Sequence, residues 1–175
     1  PQLDSAMHEL GPDDTGVLDL LGTIDSMVTT LRTRLSHNTR LLITADHGQA
    51  AVSRATAHCL RADDELAQML VTRPSGEARL PIFHVRDGLG DVFAKRFIER
   101  FGADWALASA AELAELGLWG PYPPSRRVAE RLGTWIGVPY DRHCFFVEPF
   151  GDSLNHRGGH GGLLPDEVEV PLLVY

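Results

Sequence analysis

The chain is poor in cysteine: Cys59 and Cys144 are its only two in 175 residues, too few for a disulfide framework. It contains no apolar run approaching the length of a bilayer span. Its first residues show no signal-peptide pattern, and cytoplasmic and secreted locations both stay open. Positive charge is scarce as well, with 16 Lys and Arg against 24 Asp and Glu, a formal net charge of −8 and a pI near 5.4. That balance argues against a nucleic-acid duplex or an anionic membrane as the main partner. It leaves room for a phosphate substrate, because bound divalent cations reverse a local field. Internal repeats and low-complexity tracts are missing too. What is present, 43% hydrophobic and 23% charged residues, is the composition of an ordinary globular domain. The length is enough for one real core.

The hydrophobic pattern predicts α/β alternation. Asp13, Asp14 and Thr15 are helix-start residues, and Val17, Leu20, Leu21, Ile24, Met27, Val28, Leu31 and Leu35 follow at helical spacing. They predict a long helix over 14–35 feeding a strand over 40–45. Leu41, Leu42 and Ile43 show no polar alternation, which suits a central parallel strand covered on both faces. Residues 51–78 have no strong period. A strand is expected over 80–86, a helix from Gly90 with Val92, Phe93, Phe97, Ile98 and Phe101 on one face, and short elements over 105–108, 110–116, 125–132, 134–138 and 144–148. A last strand over 168–174 contains Pro171, which favours a sheet edge or a strand end.

Three groups could carry chemistry: Asp4-x3-His8, Asp46-His47 before Gly48, and His160 within a glycine-dense loop. Carboxylates and imidazoles are the ligand set of zinc and related divalent ions, and catalytic zinc sites use three protein ligands with one position open. Asp4, His8 and His160 would fill one such site, with Asp46 and His47 giving two ligands to a second. Each group also has a plainer use: Asp4 and His8 as solvated residues near a chain end, Asp46-His47-Gly48 as a helix cap and turn, the His160 loop as a turn. Asp46 and His47 fall where open α/β sheets gather ligands, at a strand's carboxyl end, and Gly48 permits close approach of backbone or ion. His37, His58, His84 and His143 have no partners along the sequence and read as structural or surface residues. Trp119 and Tyr122 suit either packing or the lining of a substrate pocket.

Taken together these motifs resemble a known family. Asp4-x3-His8-x2-Gly11-Pro12, the helix with Ile24-Asp25, and Thr44-Ala45-Asp46-His47-Gly48 look like the type I phosphodiesterase/nucleotide pyrophosphatase branch of the alkaline phosphatase superfamily. Gly159-His160-Gly161-Gly162-Leu163-x-Pro165-Asp166-Glu167 and Pro171-Leu172-Leu173-Val174 fit the end of such a domain, and Gly117-Leu118-Trp119-Gly120 and Arg131-Leu132-Gly133 resemble bacterial members. The resemblance implies the C-terminal part of an alkaline-phosphatase-like α/β core, a mostly parallel sheet flanked by helices. Residues 1–78 and 151–175 would form the core, and 79–150 a smaller α+β elaboration. It implies two divalent ions, zinc by default, one held by Asp4, His8 and His160 and the other by Asp46 and His47. The substrate would be a small phosphate ester or nucleotide. By residue type His156 and Arg157 are candidate substrate contacts, and a loop histidine and a solvated guanidinium are their plainer uses.

Family members complete the second metal position with an aspartate and a Thr or Ser nucleophile from an N-terminal segment. The nucleophile is therefore expected upstream of Pro1, on a missing segment of the same domain. Thr44 and Thr15 are better explained as strand and helix-start residues. The expected activity is metal-dependent hydrolysis of phosphoric esters by a longer chain, with the isolated fragment weak or inactive. A phosphomonoesterase or phosphonate hydrolase of the same superfamily would share the metal cage, and a non-catalytic metal-binding module would share the fold.

Overall fold

The computed structural model describes residues 2–175. In chain order its elements begin with α1 (Gln2–Leu10), α2 (Thr15–Arg34), β1 (Leu42–Thr44) and β2 (Ala50–Ala51). Next come β3 (Ala57–Leu60), α3 (Glu65–Gln68), β4 (Ser75–Glu77), β5 (Leu80–Phe83), α4 (Gly90–Phe101), β6 (Trp105–Ala108) and α5 (Ala110–Glu115). The series closes with α6 (Arg126–Ala129), β7 (Trp135–Pro139), β8 (Cys144–Val147), β9 (Gly158–Gly159), α7 (Pro165–Val168) and β10 (Leu172–Val174). The chain divides into two compact units. One takes in the chain up to Arg54 together with Asn155–Tyr175, and the other is Ala55–Leu154.

In the first unit, α2 starts where the pattern predicts. Asp14 lies outside the helix and its carboxylate accepts from Gly16 N at 2.8 Å, satisfying one of the helix's orphan donors. β1 pairs antiparallel with β10, Ile43 opposite Leu173, and β2 pairs antiparallel with β9. Pro171 stands just before β10, where its missing N–H costs the ladder nothing. α7 takes Val168, the first residue of the segment expected to be strand, with Pro165 at a helix start that does not need its N–H.

The second unit carries an antiparallel sheet of order β4-β5-β7-β6 and a parallel pair, β3 with β8. α4 places Phe93, Phe97 and Phe101 inward, four residues apart, as the periodicity requires. They join Leu60, Leu66, Leu70, Phe83, Val85, Trp105 and Phe145 in one buried cluster. A smaller cluster, Leu113, Leu132 and Ile136, has Trp119 packed against it with its indole N–H donating to the Ala110 carbonyl. Tyr122 is exposed, so of the two aromatics it is Trp119 that packs.

Two expectations need correction. Among the described strands only β3–β8 is parallel, so the predominance of parallel pairing expected from the α/β alternation is not found. β1, whose apolar run suggests cover on both faces, leaves Leu42 exposed, and its neighbour across the ladder returns from the end of the chain in the opposite sense. Residues 55–78 belong to the second unit. β3 is zipped to β8 there, and Leu60, Leu66 and Leu70 are buried among its phenylalanines.

Candidate metal centre

Three pieces of the first unit carry the candidate ligands. α1 presents Asp4 and His8 one turn apart on a single face, the loop after β1 carries Asp46 and His47, and His160 follows β9 directly. His8 Nδ1 lies 2.8 Å from the Gly158 carbonyl and His47 Nδ1 2.9 Å from the Gly48 carbonyl. A carbonyl only accepts, so each Nδ1 carries the hydrogen and each neutral ring keeps a bare lone pair on Nε2. His8 Nε2 stands 3.4 Å from Asp4 Oδ1, and His160 Nε2 stands 3.8 Å from the same oxygen. The His47 and His160 rings stack with centroids 3.8 Å apart. One ligand atom each from Asp4, His47 and His160 fits within a span of 4.8 Å.

Lone pairs gathered this closely repel one another unless a proton or a metal cation lies among them. The donor set of one carboxylate and three imidazoles fits a borderline divalent ion such as zinc. Asp46 is at the rim: its side chain is 92% exposed, with Oδ1 3.8 Å from His47 Nε2. The structure thus draws His47 in beside Asp4 and His160, with His8 adjoining.

The frame around these ligands is made of backbone bonds. Gly48 N donates to the Glu167 carbonyl at 2.9 Å, and a Cβ at position 48 would run into the Asp166 carbonyl. Glycine after His47 therefore serves an approach of backbone to backbone. Gly158 is equally constrained, since a Cβ there would meet the Met7 carbonyl and the Gln49 side chain. Arg157 N donates to the His8 carbonyl at 2.8 Å while its own carbonyl accepts from Val52 N at 2.8 Å. The Arg157 side chain is exposed, and the His156 ring lies 4.6 Å from that of His8.

Two residues in this frame escaped the sequence reading. Gln49 is buried and donates from Nε2 to Asp4 Oδ1 at 2.6 Å, fixing the carboxylate. Glu167 is buried and accepts from Gly162 N at 2.9 Å and Leu164 N at 3.2 Å, holding the loop that follows His160. A lone glutamine after a turn carries no pattern. The Glu167 signal was readable: a glutamate three residues after a helix's outer residue, with proline between, is a helix-start arrangement.

The second unit assembles a cluster from residues that lack partners in sequence. His58 Nε2 lies 3.1 Å from His143 Nδ1 and 3.4 Å from Asp104 Oδ2, and His143 Nε2 lies 3.5 Å from Asp104 Oδ1. Burial, and then His143, push the His58 pKa below the ordinary histidine value, with Asp104 pulling the other way. His84 is bonded to Ser75 Oγ at 2.8 Å, a structural contact, and His37 is exposed.

Fold and side-chain cluster together define an α/β protein with carboxylate and imidazole groups gathered as they are in sites for a divalent ion. The chain belongs to the type I phosphodiesterase/nucleotide pyrophosphatase family, whose pattern matches residues 1–104. Murine ectonucleotide pyrophosphatase/phosphodiesterase 5, solved as an inactive threonine-to-alanine form in complex with AMP, is similar in structure with a TM-score of 0.71 at 17% identity. The human ectonucleotide pyrophosphatase/phosphodiesterase 5 gives 0.69 at 18% identity. Each comparison covers 98% of this chain and 44% of the other, so the chain spans less than half the length of these structures and shares their alkaline-phosphatase-like fold. No curated protein sequence matches it.

Proposed function

We propose that the chain supplies metal ligands to a phosphodiesterase or nucleotide pyrophosphatase, with the nucleophile on residues of the same domain outside these 175. One observation carries the reading: ligand atoms of Asp4, His47 and His160 lie within 4.8 Å of one another, His8 Nε2 stands 3.4 Å from the same Asp4 carboxylate, and backbone carbonyls orient the His8 and His47 rings. Asp4, His8 and His160 would hold one ion and His47 with Asp46 the other, zinc by the chemistry of the donors. Ions bound there would supply Lewis-acid polarisation of a phosphoryl oxygen and an acidified hydroxyl or water.

The chain's own residues do the positioning. The Gly158 and Gly48 carbonyls fix the tautomers of His8 and His47, so that each ring in its neutral form keeps Nε2 as the free donor atom. Gln49 prevents rotation of the Asp4 carboxylate. Arg157, anchored through both of its backbone groups, offers an exposed guanidinium to an anionic ester, and His156 stands beside His8 as a second contact. Thr44 Oγ1 turns to the Ala45 carbonyl at 3.4 Å and Thr15 is exposed at the head of α2, so neither is assigned as nucleophile.

The test has two arms. Elemental analysis of the zinc-loaded chain should show less zinc in His160→Ala than in the unaltered chain, and equal stoichiometry would refute the assignment. The longer protein should turn over bis-p-nitrophenyl phosphate faster than p-nitrophenyl phosphate or phosphonoacetate, while the 175 residues alone show weak or no turnover. Preference for the monoester or the phosphonate would move the reading to another superfamily chemistry. Metal binding without any turnover by the longer protein would leave a non-catalytic metal-binding module.

A further inference from the structure

We propose that His58, Asp104 and His143 form a second divalent-metal site, made wholly of residues of the second unit and independent of the Asp4–His160 cluster. Its three donors come from separate stretches: His58 from within β3, Asp104 from the turn just before β6, and His143 from the residue before β8. Taking one atom from each side chain, all three lie within 4.8 Å of one another. The contacts of 3.1, 3.4 and 3.5 Å among them tie the three side chains together, with both ring nitrogens of His143 and both carboxylate oxygens of Asp104 taking part. Ligands about 2.0–2.1 Å from a tetrahedral zinc are separated by roughly 3.3–3.4 Å. Two of the contacts share His58 Nε2, with Asp104 Oδ2 at 3.4 Å and His143 Nδ1 at 3.1 Å from it, close to that spacing.

The hydrogen bonds here depend on one shared nitrogen, since His58 Nε2 is within reach of both His143 Nδ1 and Asp104 Oδ2. Where His143 Nδ1 carries the hydrogen, His58 Nε2 accepts it and stands against the Asp104 carboxylate with no hydrogen between them. A cation shared by the three side chains removes that opposition.

The surroundings resemble the supporting layer of a metal site. His58 meets the edges of Phe101 and Trp105, with centroids at 5.3 and 6.0 Å, so one side of the cluster is apolar and excludes water. Arg79 is almost fully buried and donates from Nη1 to the carbonyls of Asp141 and His143, both at 2.7 Å. Tyr140 N donates to the Asp104 carbonyl at 2.9 Å, tying the Asp104 turn to the end of β7. The backbone that carries two of the three ligands is therefore held before any ion arrives. All three side chains still reach solvent, Asp104 most, so an ion has a way in. An ion there would staple the β3–β8 pair to the β6 edge of the four-stranded sheet.

Zinc titration of the whole chain, followed by 15N-resolved spectra of its histidine rings, tests this without any substitution. The His58 and His143 ring nitrogens should show coordination shifts, and His160→Ala should leave those shifts in place. That variant separates this site from the proposed catalytic one. Asp104→Asn, which keeps the side chain's shape, and His143→Ala should each lower bound zinc by about one ion per chain relative to the unaltered chain and reduce the zinc-dependent rise in melting temperature. Ring nitrogens of His58 and His143 that do not respond to zinc overturn the proposal. So do variants that melt earlier but bind as much zinc as before, which would leave the triangle a hydrogen-bonded brace.

Discussion

The two units of this chain handle their hydrophobic residues in opposite ways. In the second, Phe83, Phe93, Phe97 and Trp105 are completely enclosed, and helix α4 buries the phenylalanine stripe that its sequence advertises. In the first, α2 is 20 residues long and buries only Val17, while Leu18, Leu21, Met27 and Leu31 lie open, Met27 being 67% exposed. The β1–β10 ladder likewise leaves Leu42, Leu172, Leu173 and Val174 exposed. An apolar stripe at strict helical spacing is a face meant for cover. The unit that holds the candidate catalytic ligands is thus the one whose packing is least complete within these residues. Its geometry rests on backbone bonds and glycine approaches, where the other unit rests on a core.

The largest expected effect tests this contrast directly. Phe97→Ala removes a fully buried ring from the aromatic cluster and should cost about 3–5 kcal/mol in urea unfolding. Met27→Ala, on the open face of α2, should change the same measurement by less than about 0.5 kcal/mol. A large Met27 effect in the 175-residue chain would mean that the α2 face is covered after all, and the contrast between the units would fail.

A smaller effect is expected at Gln49, where the first unit's reliance on polar positioning can be measured. Gln49→Leu keeps the buried volume close but removes the 2.6 Å bond to Asp4 Oδ1. Loss of an outer partner of this kind typically costs about 10–100-fold in metal affinity. Zinc affinity by competition with a chromophoric chelator should fall by that factor, with circular dichroism unchanged. Unaltered affinity would show that Asp4 is held well enough without its partner.

How much of this was legible in the sequence follows the same division. Periodic segments declared themselves: α2 with its Asp14 cap, α4 with its phenylalanines, and β6 over 105–108. The candidate ligands Asp4, His8, Asp46, His47 and His160 stood out because carboxylate and imidazole types are conspicuous against the chain and match a family pattern. What was not legible depends on pairing across the sequence. β3 lies in a stretch without a period, and its place is decided by β8, over 80 residues away. The triangle of His58, Asp104 and His143 exists only once β3, β6 and β8 are assembled, so each histidine looks solitary when read along the chain. Ladder direction is hidden for the same reason, since an apolar run such as 41–43 does not carry the sense of its neighbour.

The smallest effect concerns α5, whose start in the second unit is fastened by a reciprocal cap. Ser109 N and Ser109 Oγ donate to Glu112 Oε2 at 2.7 and 2.8 Å, and Glu112 N donates back to Ser109 Oγ at 3.2 Å. The backbone bond from Ser109, and then its hydroxyl, hold the Glu112 pKa below the ordinary glutamate value. A carboxylate whose pKa falls on folding favours the folded state fully above its unfolded value, and that contribution disappears as the pH drops through the folded value. Glu112→Gln should therefore melt below the unaltered chain at neutral pH, with the gap closing in acid beneath the usual glutamate range. The exchange protection of the first α5 amides should follow the same titration, because the cap acts on those donors. A gap that stayed constant from neutral pH into acid would show that Glu112 acts through its shape alone, leaving the cap's charge without influence on the second unit.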